Sequence, residues 1–390
     1  MSTSQFHFGD KLSRQAFLDT CWQRRPVLLR SAIDVDACGL TPDELAGLAC
    51  EVEVESRLIQ QLSDKEWSLR HGPFDERDFA CLPTSHWTLL VQDVDKHVPE
   101  VAELLDAFDF LPDWRLDDIM ISYASDQGGV GPHTDNYDVF LIQVAGQRRW
   151  RISSRSYDEQ DLLPDCPLRV LRDFHTDDDW VLNPGDVLYL PPGVAHWGTA
   201  EGECMTWSVG MRGASDTELV AAWLEQLPLH QGRPHLGDNI GSQTENPSLL
   251  GAQDIRHVLD TMAHALPGDS PAFRRWLGAY LTEPKPGFEI HPAAGANDGD
   301  SLLAQWQAGA ATLRRHPWAR FALIRIDAEY VALCSQGEVL EQPAAATGVL
   351  ETICRHRSLS PEDFPDADTV LMTGLMSSLL QRGWLYHHEQ

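Results

Sequence analysis

The stretch "GVGPHTDNYDVFLIQ", Gly129 to Gln143, sets a histidine and a carboxylate two residues apart, at His133 and Asp135, just before a continuous apolar run. In an extended chain alternate residues point to one side, so His133 and Asp135 can converge on one cation while Thr134 faces away. Whether they do depends on a third ligand and on a fold that brings distant strands together. The same tripeptide recurs at His175-Thr176-Asp177, within the acidic phrase "DFHTDDDW". At most one copy is expected to be a site.

The third ligand is expected from "NPGDVLYLPPGVAHWG", Asn183 to Gly198, where Gly185, Pro191, Gly193 and His196 reproduce the second signature of the cupin barrels. Physically, this is a turn at Asn183-Pro184-Gly185, a strand from Val187 to Leu190, and a Pro-Pro-Gly bend that swings His196 inward. Two imidazoles and one carboxylate form the facial set that holds Fe(II) and leaves three coordination positions open. Spacing separates the two copies. His133 lies 63 residues before His196, room for several strands, whereas His175 lies only 21 before it. Strands of about five or six residues with ordinary loops do not fit into that shorter interval.

The surrounding texture agrees. Between Asp117 and Met211 short β-rich runs ("IMISYAS", "YDVFLIQV", "RRWRIS", "DWVLNPGDVLYLPP", "MTWSVGMR") are punctuated by Gly and Pro, which predicts a barrel or sandwich. From Ser13 to about Asp106 helical and extended stretches alternate, with Thr41 as an N-cap before Pro42. After Ala214 the pattern turns helical. Leu219, Trp223 and Leu227 fall four apart, an apolar face that predicts a dimer contact. Residues Glu283 to Asp300 read as a linker. The remainder reads as helix, two strands ("FALIRI", "EYVALC"), two helices and a closing strand, the order of a winged helix.

Composition limits the partners. The chain has 390 residues, too many for a typical single core, and 59 Asp+Glu against 30 Lys+Arg give a formal charge of -29. Such a polyanion is repelled by nucleic acid and anionic membranes and attracts basic proteins, although the same acidity also serves solubility. Residues 301–390 hold seven Arg and no Lys against ten acids, the wrong sign for a DNA-reading winged helix. The eight cysteines are scattered without a C-x-x-C pair and are expected to be reduced. No signal peptide or long apolar span is visible, and a cytoplasmic location is expected.

A barrel iron needs an electron donor, and the usual co-substrate, 2-oxoglutarate, needs a basic anchor for its far carboxylate. "VFLIQVAGQRRWRIS" offers one. A turn at Ala145-Gly146 is expected to make a hairpin that sets the Arg148 strand beside the metal strand. Arg148 and Trp150 share one face and Arg149 and Arg151 the other, and parity alone leaves open which arginine faces in. An inward guanidinium demands an anion, with a bidentate carboxylate its natural partner. Ser122, alternating with Met120 and Ala124, could donate a hydroxyl to the same carboxylate.

"FLDTCWQRRPVLLR", "DDIMISYASDQGGVGPHTDNYDVFLIQVAGQRRWRIS" and "PGDVLYLPPGVAHWG" together resemble the JmjC-type ribosomal oxygenases, among them bacterial enzymes that hydroxylate an arginine of large-subunit protein uL16. The resemblance covers nearly the whole chain. It implies a mainly β plus α fold: a double-stranded β-helix (JmjC/cupin barrel) over 1–214, a helical dimerisation region over 215–290 and a C-terminal winged helix over 301–390. It further implies Fe(II) on His133, Asp135 and His196, 2-oxoglutarate on Ser122 and Arg148, O2 as oxidant, a homodimer, and a winged helix that does not read DNA. A basic ribosomal segment suits the acidic surface, and Tyr137 and Asp138 are candidates to grip its arginine. Two positions depart from the family's habit: Thr206 stands where Asn is frequent, and Thr134 where an aromatic residue is frequent. The rival readings are a JmjC histidyl or lysyl hydroxylase or demethylase, a metal-dependent cupin isomerase, and a non-catalytic regulator that binds nucleic acid.

Overall fold

The computed structural model describes residues 5–9, 12–35, 38–226, 251–265, 268–291, 299–365 and 368–387. Its contacts divide the chain into two units. One comprises residues 1–213, 284–320 and 353–390, the other residues 214–283 and 321–352. Among the described residues no helix is long and apolar enough to cross a membrane.

The first unit is built on a ten-stranded antiparallel sheet. Its strands are β1 (Val27–Leu29), β2 (Ser56–Ser63), β3 (Glu66–His71), β4 (Trp87–Val91) and β5 (Leu116–Ala124). They continue with β6 (His133–Thr134), β7 (Val139–Ser153), β8 (Asp178–Leu182), β9 (Val187–Leu190) and β10 (Ala195–Met211). The order is β1-β9-β7-β10-β5-β4-β2-β3, with β6 added to β10 and β8 to β7. Strict alternation separates two faces. Phe140 and Ile142 of β7, Ile119 and Ile121 of β5, and Trp207 and Val209 of β10 pack outward into one core with Phe17, Leu105 and Phe108. Met120, Ser122, Leu141, Thr206 and Ser208, on the opposite face, line a cavity. The N-cap at Thr41 is completed by a capping box with Glu44.

The expected hairpin at Ala145-Gly146 does not form. Strand β7 runs unbroken for 15 residues and pairs with β10 along its length, from Gly210↔Val139 to Ala195↔Ser153. Near Gly146 the register against β10 shifts between Glu201 and Thr206. Gly146 itself adopts φ +64°, and a Cβ there would lie 2.1 Å from the Glu203 carbonyl. The glycine serves a bulge that bends two long strands around the barrel rather than a reversal.

The segment read as a linker begins as a pinned strap. Phe288 packs edge-on against Trp318 with ring centroids 5.2 Å apart, and Lys285 reaches Asp93 and Asp117 at 3.0 and 3.1 Å. Nearby, Arg320 is buried and pairs with Asp95 at 2.8 Å. A three-stranded sheet of Leu313–Arg315, Ser358–Leu359 and Leu385–His387 completes this unit, with Trp306 buried and donating to the Leu359 carbonyl.

In the second unit the strands Ala322–Arg325, Tyr330–Ser335 and Glu338–Pro343 form an antiparallel sheet covered by helix Pro271–Leu281. Gly278 permits that approach, since a Cβ would lie 2.4 Å from Cys334 Sγ, and Arg275 makes a two-pronged pair with Glu341. Helix Asp216–Gln226 sets Trp223 against Phe273 and Trp276, while Leu227, expected on the same face, lies outside the described residues.

Candidate metal and co-substrate site

His133, Asp135 and His196 meet at one end of the cavity, and their ligand atoms all lie within 4.8 Å of one another. The Nε2 atoms of His133 and His196 approach the two oxygens of Asp135 at 3.8 and 3.5 Å. Strand β6 pairs with the start of β10 in the register His196↔His133, which brings residues 63 apart in sequence side by side. The Pro-Pro-Gly bend is tied to the same place, because the Gly193 N–H donates to the Asp135 carbonyl at 2.7 Å. Gly193 takes φ +78°, where glycine carries no Cβ penalty.

The ring nitrogens are assigned by their partners. His133 Nδ1 faces the Gly131 carbonyl at 3.0 Å and His196 Nδ1 the Val194 carbonyl at 2.9 Å. A carbonyl only accepts, so each Nδ1 carries the proton and each Nε2 lone pair is left for a cation. Burial, reinforced by the neighbouring His133, pushes the His196 pKa down to about 4, which keeps its imidazole neutral and able to ligate. Two imidazoles and one carboxylate converging in a partly enclosed site fit Fe(II).

Arg148 settles the parity question. It is 3% exposed on the inner face of β7, whereas Arg149 lies on the outer face, paired with Glu201 and Asp179 at 2.7 and 3.1 Å. The Arg148 guanidinium stacks on Trp150, 5.0 Å from the ring centroid, and its Nη1 donates to Ser122 Oγ at 3.2 Å. Its Nε has no partner, and no described carboxylate pairs with it. Desolvation lowers its pKa, the mark of a buried cation lacking an anion. A carboxylate entering the cavity would supply the missing partner, so the residues present fit 2-oxoglutarate. Across the strand pair Gly198 makes room, since a Cβ there would lie 2.7 Å from the Trp150 ring and 2.8 Å from Arg148 Nε.

The cavity encloses about 260 Å³. Tyr137, 44% exposed, stands on its wall. Thr134, expected to face away, also contributes to the wall. Asp138 departs from its expected role as a substrate contact. It is fully buried, and its carboxylate accepts from Tyr189, Gln23 and Arg115 at 2.5, 3.1 and 2.9 Å. These donors saturate it, and it fastens the loop after β6 to the core. Thr206 pairs with Ser122 across β10 and β5 and donates to Gln143 Oε1 at 3.0 Å.

Asp118 was missed, although it alternates with Met120 and Ser122 on β5. It is 4% exposed. Its Oδ2 accepts from the Gln92 amide and, at 3.2 Å, from the Asp93 N–H. No described residue donates to Oδ1, and Asp118 lines the cavity beside Gly210. Burial pushes its pKa up to about 6, against the pull of Lys285.

The second His-Thr-Asp copy stays outside. His175 and Asp177 pair at 3.1 Å with side chains 44% and 35% exposed, and Asp177 accepts from the Ser154 N–H and hydroxyl. Among the described residues no third ligand joins them.

Comparison with known proteins gives a consistent picture. A JmjC domain model matches residues 103–219 and a ROXA-like winged-helix model residues 261–386. The chain is 32% identical over 375 residues to the Escherichia coli ribosomal protein uL16 3-hydroxylase, covering 95% of this chain and 96% of that one. A probable ribosomal oxygenase of Haemophilus influenzae is 37% identical over 213 residues, 54% of this chain and 52% of that one. The X-ray structure of E. coli YcfD superposes with a TM-score of 0.83 at 31% identity, covering 99% of this chain and all of that one. E. coli YcfD in complex with cobalt and 2-oxoglutarate superposes with a TM-score of 0.79 at 30% identity, over 99% of this chain and 100% of that one.

Proposed function

Because this chain belongs to the JmjC-domain ribosomal oxygenase family, we propose that it hydroxylates an arginine side chain of the large-subunit ribosomal protein uL16. It is an Fe(II)- and 2-oxoglutarate-dependent dioxygenase. The observation that carries the reading is one cavity holding both a His-Asp-His cluster and a buried arginine without an anion.

In this reading His133, Asp135 and His196 hold Fe(II), while Arg148 and Ser122 bind the far carboxylate of 2-oxoglutarate. Together the bound groups and O2 supply the chemistry: 2-oxoglutarate is split to succinate and carbon dioxide, and one oxygen atom enters an unactivated C–H bond of the substrate. The chain's own work is placement. Trp150 and Gly198 fix the Arg148 plane, and the Nδ1 bonds to Gly131 and Val194 lock both imidazole orientations. The free Oδ1 of Asp118, with Tyr137 on the same wall, offers a guanidinium an anion and an aromatic surface. This pair replaces Asp138 as the arginine grip, and it favours a basic target over the neutral imidazole of a histidyl substrate.

The three-part organisation belongs to the same proposal: a catalytic unit over 1–214, helices over 215–290 that pair two copies, and a winged helix over 301–390 that does not bind DNA. Helix Ala252–Ala265 supports the homodimer. Ile255, Leu259 and Met262, one helical face, are 47%, 57% and 61% exposed, an apolar stripe that a second copy would cover. A cytoplasmic location, where ribosomal proteins are made, follows from the substrate. The test is succinate release with Fe(II), O2 and an arginine-containing uL16 peptide, which is expected to exceed release with the lysine-substituted peptide. Equal release with both would remove the arginine assignment.

A further inference from the structure

The ground behind Asp118 is crowded with charge. Asp93, Asp117 and Asp118 share a small, mostly buried volume, and like charges so confined do not all stay ionised without cations beside them. Lys96 takes Asp93 and the Asp117 carbonyl, and Arg212 approaches Asp117 at 3.4 Å. Lys285 alone among the described residues lies within 4.0 Å of all three, at 3.0 Å from Asp93, 3.1 Å from Asp117 and 4.0 Å from Asp118. It comes from the strap after helix Pro271–Leu281, where Phe288 is wedged against Trp318 and His97 with centroids 5.2 and 5.6 Å away. The strap therefore holds the ammonium in place.

We propose that Lys285 is a positioning residue for substrate: it holds the negative charge on Asp118, whose free Oδ1 then meets a cationic side chain in the cavity. The inference rests on the reading of Asp118 as a substrate contact. The other groups facing Asp118 are Asp93, Asp117 and Lys96 on its own side, and Arg57 and Tyr137 at the cavity wall. Lys96 joins Lys285 in favouring its charge, and the two aspartates oppose it.

The sign follows. Burial has already pushed Asp118 up to about 6, with Lys285 pulling it down, so removal of the ammonium moves it higher. Binding of a cation weakens as pH falls through that pKa, and without Lys285 the weakening sets in at higher pH.

The experiment measures the Kd of a uL16 peptide carrying one arginine, and of its uncharged citrulline counterpart, under nitrogen across the acid-to-neutral range. For the wild type, affinity for the arginine peptide is expected to fall below about pH 6. Lys285→Met moves that fall upward by about one unit, so binding weakens about twofold at pH 7 and nearly tenfold at about pH 5, while Lys285→Arg follows the wild type. Asp118→Asn and the citrulline peptide both lose the pH dependence. If Lys285→Met keeps the wild-type profile while Asp118→Asn abolishes it, the role of Lys285 is overturned and the substrate contact stands. If Asp118→Asn binds as the wild type does, the contact itself fails, and the inference with it. Circular dichroism checks folding, and Lys285→Gln carries the same test should the methionine variant not fold.

Discussion

Two copies of His-Thr-Asp lie 42 positions apart in one chain, and the closer His–Asp pair is the one without a third ligand. His175 and Asp177 stand 3.1 Å apart on the surface, while His133 and Asp135 stand 3.8 Å apart in the cavity. Proximity of an imidazole to a carboxylate is therefore no measure of a metal site. What separates the copies is the company the fold provides. His196 arrives across the β6–β10 pairing, both Nδ1 atoms are bound so that Nε2 is left for a cation, and an unpaired Arg148 shares the cavity. Asp177 instead gives its Oδ2 to the Ser154 N–H and hydroxyl just after β7.

The sharpest way to break this contrast is substitution at matched positions. Asp135→Ala is expected to abolish Co(II) or Fe(II) binding, read by calorimetry, whereas Asp177→Ala retains full binding. Loss of metal from both variants would erase the distinction. The next effect is on stability and concerns a carboxylate only three residues away. Asp138, saturated by Tyr189, Gln23 and Arg115, should cost about 3–5 kcal/mol when replaced by Ala, measured by urea unfolding. Asp135→Ala should leave the metal-free protein nearly as stable as the wild type.

Arg148 sharpens the comparison from the co-substrate side. Arg148→Met should raise the KM for 2-oxoglutarate roughly ten- to hundredfold, matching about 1.5–3 kcal/mol for charge-assisted hydrogen bonds. It should also raise the melting temperature of the ligand-free protein, because it removes a buried cation that has no anion. Gly198→Ala pushes a Cβ against Trp150 and Arg148 and is expected to cost about 1–3 kcal/mol of stability together with 2-oxoglutarate affinity. Arg149→Met, on the outer face, breaks only exposed, solvent-screened pairs with Glu201 and Asp179 and leaves that KM unchanged. An unaltered KM in Arg148→Met, with a raised one in Arg149→Met, would reverse the faces.

Much of this was readable from spacing and alternation. The metal cluster followed from the interval between His133 and His196 and from the Gly-Pro-Gly frame that aims His196, both local consequences of chain geometry. Parity narrowed the anchor to Arg148 or Arg149, but which face is inside depends on barrel curvature, and that is set by long-range pairing with β10. The same curvature defeated the hairpin reading at Ala145-Gly146, because a glycine with positive φ serves a turn and a bulge equally well. Asp138 looked like a substrate contact because it follows the metal strand, yet its three donors come from residues 23, 115 and 189, which no local pattern brings together. Asp118 shares the parity of Ser122 and could have been found by extending the same alternation two steps back past Met120. Lys285 was hidden in a Pro- and Gly-rich stretch, where composition suggests a linker while the aromatic contacts of Phe288 make a strap.

The central claim is that the cavity at His133, Asp135 and His196 hydroxylates uL16 on arginine. Its most direct test is mass spectrometry of purified, unmodified uL16 after incubation with the iron-loaded protein, 2-oxoglutarate and air, with parallel samples of Asp135→Ala and Asp177→Ala. The predicted result is one added oxygen on a single arginine, with matching succinate, from the wild type and Asp177→Ala and none from Asp135→Ala. Unmodified uL16 from an intact, iron-loaded wild type, or an added oxygen that persists in Asp135→Ala, would contradict it.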